Sequence, residues 1–342
     1  MKKIVSVLLV CLMVGLGGCG GSSGSSTPAS GKSRTFKTGG NYPEGIGIDA
    51  ADNVWIANRY SNTVTELSNS GVLLGSFPVG ARPHGLKIDS AKTGNIWVQN
   101  TAGSGPGAPA SCPNSTSGTV TALAPDGSLI GTFCTNGDQP QHAQFDSSGN
   151  IWVTNQGSNT VAELTGAGAF VATFATGESP HAIAIDQPGN FWIGNYSSAN
   201  VTVLQPNGTL LGTIPNVGQQ PTGSAIDPSG NLWQSVQGLD LASEFAAAPS
   251  LAPIKSVAVG VGPRGVSIDK AGNIFVVNQT SNDVFKFDSS GTQVATYKVG
   301  ECPENMAVDS KGNLWVTNAC GSTVTVLKGV AVPGSGDDDS NG

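Results

Sequence analysis

The chain has 342 residues, of which only 11% are charged, with 48 glycines and a formal net charge of −7. A lightly charged, glycine-rich composition is that of a turn-rich all-β protein. The sequence carries no basic stripe, which excludes nucleic acid as an expected partner.

The chain opens on Met1-Lys2-Lys3 and an apolar run at 4–16. That run is shorter than the roughly 20 residues a spanning helix needs and has the layout of a secretory signal. Leu16-Gly17-Gly18-Cys19 resembles a bacterial lipobox. The resemblance implies a signal peptide over 1–18 and lipidation at Cys19. A membrane partner through that lipid follows, since two acyl chains suffice for stable anchoring. Gly20, rather than Asp, implies sorting to the outer membrane in a Gram-negative cell. Residues 19–32 read as a flexible Gly/Ser tether. At the other end, 330–342 is expected to be a disordered acidic tail carrying Asp337, Asp338 and Asp339.

Between these ends, one phrase, P-x-G-I-x-I-D-x-x-G-N-x-W, opens at Pro43, Pro83, Pro140, Pro180, Pro221, Pro263 and Pro303. The spacings are 40, 57, 40, 41, 42 and 40 residues. A period of about 40 residues with several short strands is a propeller blade. The first copy predicts strands over 45–49, 54–57, 63–67 and 73–78. The D-x-x-G-N phrase, as at 146–150, is the turn between the first two strands. Asn58, Asn100, Asn155, Asn195, Asn278 and Asn318 close the second strand and suit the next turn. The seventh copy stops after its third strand, at Leu327, which would leave an open edge. The segment 33–39 matches the fourth-strand phrases and can fill that edge. The expected fold is all-β: a seven-bladed β-propeller of four-stranded blades over 33–329, closed by the N-terminal strand, and a monomer. Trp55, Trp97, Trp152, Trp192, Trp233 and Trp315, with Phe275 in the sixth copy, share one repeat position and read as core packing.

Alternating strand directions place the P-x-G connection and the loop after the second strand at the same end of the ring. The ring position one residue after each repeat proline holds Glu44, His84, Gln141, His181, Thr222, Arg264 and Glu304. All three histidines of the chain, His84, His142 and His181, fall at this rim on adjacent blades. Three imidazoles can hold a divalent metal, zinc or magnesium, with an open position; a plain polar rim is the other reading. His142 is offset by one residue from the other two. Loop tips add Arg59, Tyr60, Gln156, Tyr196, Gln237 and Gln279, groups suited to a small molecule, glycan or protein. The second blade carries the long insertion, 101–118, on this face beside His84. Cys112, Cys134, Cys302 and Cys320 also lie at this end, and an even number of thiols in an exported chain implies disulfides. Shared location in the blade layout pairs Cys112 with Cys134 and Cys302 with Cys320.

The phrases P-H-G-L-K-I-D…G-N-I-W-V-Q-N and P-H-A-I-A-I-D…G-N-F-W-I-G-N resemble repeats of the virginiamycin B lyase family and, more loosely, NHL-repeat proteins. The family has a seven-bladed propeller that opens a cyclic depsipeptide by elimination, using a divalent metal, two P-H histidines and rim glutamates. The resemblance implies that His84 and His181 match those histidines; Glu44 and Glu304, neighbours on the rim, are the expected acids of a metal-dependent enzyme there. A blade separates the two P-H copies here, Asn100 and Asn195 stand where the lyase has a glutamate, and Glu178 precedes His181. No G-x-S-x-G elbow or H-E-x-x-H helix occurs, which excludes a serine hydrolase or zincin. Two functions remain open: an envelope-anchored binding or scaffold module using the rim, or a divalent-metal-dependent lyase or hydrolase there.

Overall fold

A computed structural model describes residues 32–109, 112 and 118–333. The expected signal peptide, Cys19 and the aspartate run at 337–339 lie outside the described residues. Seven four-stranded antiparallel sheets follow one another around a ring, each in the strand order of the sequence except the last. In that sheet Ser33–Lys37 pairs with Thr323–Leu327, so the N-terminal strand completes the seventh blade as expected. The seam is clamped a second time by Asp52. Its carboxylate accepts from the Ser310 amide (2.9 Å) and hydroxyl (2.7 Å), and Lys311 Nζ lies 3.1 Å away. Asp52 stands where the other repeats have Gly or its equivalent, at φ 64°. This left-handed position is one that short polar side chains tolerate.

The tryptophans are core, not ligand cage. All six are among the largest fully buried side chains. Trp152 lies between Phe174 and Phe191, at centroid distances of 5.0 and 4.1 Å. The repeat aspartate receives the indole N–H within the same blade, as in Trp55 to Asp49 (2.9 Å) and Trp315 to Asp309 (3.0 Å). Phe275 has no such donor, and in its blade Asp269 Oδ2 accepts the amide of Val332 instead (2.8 Å). Val330 and Ala331 are buried there, and Lys286 Nζ donates to Val330 O (2.7 Å). The described chain is thus bonded to the ring through Val332, past the expected boundary at 329.

The closing asparagines of the second strands open the next turn, as where the Asn58 carbonyl accepts the Asn62 amide (3.1 Å), and their side chains have a second role. Asn58, Asn100, Asn155, Asn195, Asn278 and Asn318 are fully buried. Asn58, Asn100, Asn195 and Asn318 donate to third-strand threonines at 2.9 Å. The turn itself is made by left-handed residues such as Asn62, Asn159 and Asn282. Both expected disulfides form, Cys112–Cys134 and Cys302–Cys320. They are consistent with an oxidising, exported setting. In the described part of the insertion, Thr101 lines the rim cavity, and Pro106 O accepts from Thr132 Oγ1 on the fourth strand of the same blade (2.8 Å).

Candidate functional site

Every first strand carries one extra residue directly after its proline, for example between Pro140 and Ala143, where Gln141 and His142 together oppose Thr154. Proline cannot donate to the ladder, and a bulge suits such a position. The bulge breaks strict alternation, and this brings the offset His142 to the channel with its neighbours. The ring centroids of His84, His142 and His181 lie 5.0, 5.4 and 4.9 Å apart. One nitrogen from each falls within 4.8 Å of the other two.

Two further features organise these rings. His181 Nδ1 lies 2.9 Å from the Thr222 carbonyl, so it carries the proton and leaves Nε2 as a lone-pair donor. The hydroxyl of Thr154 accepts the amide of His142 (3.1 Å) and donates to the carbonyl of His181 on the next blade (2.9 Å). The same second-strand position holds Thr317, which joins the Asn305 amide (3.1 Å) to the Glu44 carbonyl (2.9 Å). In the fifth blade Ser235 joins the Gly223 amide to the Arg264 carbonyl. These hydroxyls fix rim residues in pairs across blade seams. A lone hydroxyl in a fully buried, otherwise apolar strand is the sequence signal that would have found them.

Two ion pairs flank the histidines. Glu44 meets Arg59 Nη1 at 2.8 Å and lies 3.7 Å from His84 Nε2. Glu304 lies 3.4 Å from Arg264 Nε and accepts a hydrogen bond from Gln279. Burial pushes the Glu44 carboxyl up to about 7, against the pull of Arg59. Glu304 is raised for the same cause. Burial, the other imidazoles and the nearby arginines hold His84 and His142 well below the usual histidine range, and burial with Arg264 takes His181 to about 4. All three rings are therefore neutral at pH 7, the form that binds a metal.

Three imidazoles are a donor set for zinc or another late transition metal; magnesium prefers oxygen. An ion centred among nitrogens 4.8 Å apart would lie about 2.8 Å from each, against about 2.0–2.1 Å in a formed site. Each ring must move inward by about 0.7 Å, a side-chain adjustment, so the residues fit the ion. Above the cluster opens a cavity of about 400 Å³.

Of the expected rim residues, Glu44, Arg59, His84, Gln141, His181, Tyr196, Arg264 and Glu304 line that cavity, as does Gln156. His142 and Thr222 lie beneath, around a void of about 10 Å³, the size of one water. Tyr60 stays exposed at the edge and packs on Tyr42, centroids 4.8 Å apart. Tyr42, Arg82 and Gln139 also line the cavity and were not expected. Each precedes a repeat proline, and that position has left-handed φ in all seven blades, from 50° at Cys302 to 69° at Gly262. Bulky polar residues at that pre-proline position were the available signal.

No protein-family model matches the chain, and no curated protein sequence is detectably similar. Solved structures are. Virginiamycin B lyase from Staphylococcus aureus superposes with a TM-score of 0.74 at 15% identity, covering 87% of this chain and 99% of that one. The fold is shared with that lyase. A streptogramin B lyase structure gives 0.73 at 16% identity, covering 86% and 96%. A catalytically inactive histidine-to-alanine variant of the Staphylococcus aureus enzyme, solved with quinupristin, matches equally. Kuenenia stuttgartiensis hydrazine synthase matches at 0.72 and 14% identity, covering 86% and 98%. An architecture common to such different chemistries does not choose a reaction for this chain.

Proposed function

We propose that this protein is an exported ligand-binding propeller, lipid-anchored at Cys19 to the bacterial envelope, whose channel mouth holds a divalent transition metal on His84, His142 and His181. The observation that carries this reading is the convergence of the chain's three histidines, with one nitrogen from each within 4.8 Å of the others. The His181 tautomer, set by the Thr222 carbonyl, supports it. The 400 Å³ cavity above would admit a small molecule to the metal's open position. The test is metal content by mass spectrometry in the chain from Lys32 onward, which contains the whole closed ring, after refolding with excess zinc and desalting. Near-stoichiometric zinc, lost in the His84/His142/His181 triple-alanine variant, is expected. Equal retention by both proteins, or none by either, would overturn the metal site.

A second reading, a metal-dependent lyase, is favoured by Glu44. Its buried carboxyl titrates near 7 beside His84, which suits a general base at neutral pH. The metal would stabilise negative charge developing on substrate oxygen. Incubation of the zinc-loaded protein with quinupristin, followed by chromatography, is the direct trial. A linearised product that disappears with Glu44→Gln supports it, and intact quinupristin removes that substrate.

A further inference from the structure

Among the described residues, the buried side-chain nitrogens without a hydrogen-bond partner are Arg59 Nε, His84 Nδ1 and Arg264 Nε. All three side chains line the one rim cavity. Unpaired buried donors are costly, by about 1–3 kcal/mol each, and a folded chain rarely collects them in one place by accident. Arg59 spends only Nη1 on Glu44. The Nε of Arg264 faces Glu304 at 3.4 Å outside hydrogen-bond alignment. Both arginine side chains are about one quarter exposed, and both line the cavity. The charged lining is Arg59, Arg82 and Arg264 against Glu44 and Glu304, a local excess of one positive charge in a chain of net −7. The remaining walls are His, Gln, Thr and Tyr, with no aliphatic side chain.

We propose that the ligand of this cavity is a small hydrophilic carboxylate, received by the guanidinium groups of Arg59 and Arg264 with Arg82 at the entrance. The inference rests on the reading of this cavity as the ligand site, and it names the class of ligand. Arginine presents a planar fork that matches a carboxylate. A positive concavity in an acidic protein also draws anions from solution. Small rotations of the two side chains would turn their unpaired donors onto the ligand's oxygens.

Isothermal titration of the chain from Lys32 onward tests this, using succinate, malate and citrate, with succinamide as the uncharged counterpart of succinate. It is run on chelator-treated and zinc-loaded protein, with thermal melts confirming that each variant is folded. At least one carboxylate should bind, and succinamide at least tenfold more weakly than succinate. Arg59→Gln and Arg264→Gln should each weaken binding tenfold or more. Arg82→Gln, on an exposed side chain with no buried partner to strand, should weaken it by a smaller factor. Binding to chelated protein would uphold the anion site even where the metal reading had failed. Zinc binding with no response to any of the three carboxylates would overturn the inference and leave the metal site standing. Equal affinity for succinamide, or arginine variants that bind as well as the parent, would overturn it too.

Discussion

The hydroxyl of Thr154 is the smallest group on which two of the three rim imidazoles depend. Thr154→Val keeps the volume and β-branching and removes only the hydroxyl. The variant leaves the buried His142 amide without its acceptor and the His181 carbonyl without its donor. An unpaired buried polar group costs about 1–3 kcal/mol. In a domain of this size about 1 kcal/mol moves Tm by about 2–4 °C, so a fall of several degrees is expected. Outer-shell partners of metal ligands typically change affinity by about 10–100-fold, and zinc affinity should fall in that range. Thr317→Val is the matched control. It severs the same pair of bonds at the backbones of Asn305 and Glu44, neither of which carries an imidazole, although the Glu44 carboxylate lies 3.7 Å from His84. It should cost similar stability and leave zinc affinity within a few-fold of the parent. Differential scanning fluorimetry of the metal-free proteins and competitive titration with a chromophoric chelator measure the two quantities. Equal loss of affinity in both variants would show that the effect is general loosening of the ring. Unchanged affinity in Thr154→Val would show that ring placement does not run through this hydroxyl.

The imidazoles and Glu44 also pull the pH dependence of stability in opposite directions. His181 takes up its proton near 4 when folded and near 6.5, the ordinary histidine value, when unfolded, so its contribution is lost as pH falls through that interval. Glu44, raised from 4.5 to about 7, contributes below 4.5 and loses that contribution as pH rises to 7. Both proteins lose the His181 contribution between pH 6.5 and 4, but only the parent gains the Glu44 contribution over that interval, so metal-free Glu44→Gln should lose about 2–3 kcal/mol more than the parent. Urea denaturation at both pH values checks this, and parallel curves for the two proteins would count against the assigned shifts. Gly223→Ala tests the P-x-G packing. A Cβ there would lie 2.3 Å from the Arg264 carbonyl oxygen and 2.8 Å from the Val266 amide of the next blade. Overpacking against backbone should cost about 3 kcal/mol, seen as a Tm drop of several degrees. Ala182 already occupies the equivalent place in blade four, so Ala182→Gly should be milder, and reversed costs would contradict the steric account.

The ring, its outer three strands per blade, its closure and both disulfides were legible because each depends on a pattern repeated in phase. The first strand, by contrast, begins at Pro43, two residues before the expected start. Tryptophan burial was legible for the same reason. The site was only half legible. His142 looked misplaced by one residue because alternation was assumed, and the bulge that corrects it follows from tertiary packing of the first strand. The asparagines were legible as turn formers from local preference, but their side chains have a second role, set by buried neighbours, the loop glycines and third-strand threonines. At Gly40 a Cβ would come within 2.4 Å of the Asn58 side chain, a contact between residues 18 apart that no local pattern announces. Arg82 and Tyr42 escaped notice because their left-handed backbone, which turns them toward the cavity, appears only in three dimensions.

The pairing of Ser33–Lys37 with Thr323–Leu327 bears on how the molecule comes into being. The first strand of the ring to be synthesised has its partner almost 300 residues later. Until that partner arrives, the outer strand of the seventh sheet has no sheet to join and the Asp52 clamp has no Ser310 to hold. Pairing across such a separation is slow to form, and an unpaired edge invites other strands. Closure thus acts as a proofreading step on length: a truncated chain keeps an unpaired edge, and only a fully delivered one becomes a sealed disc.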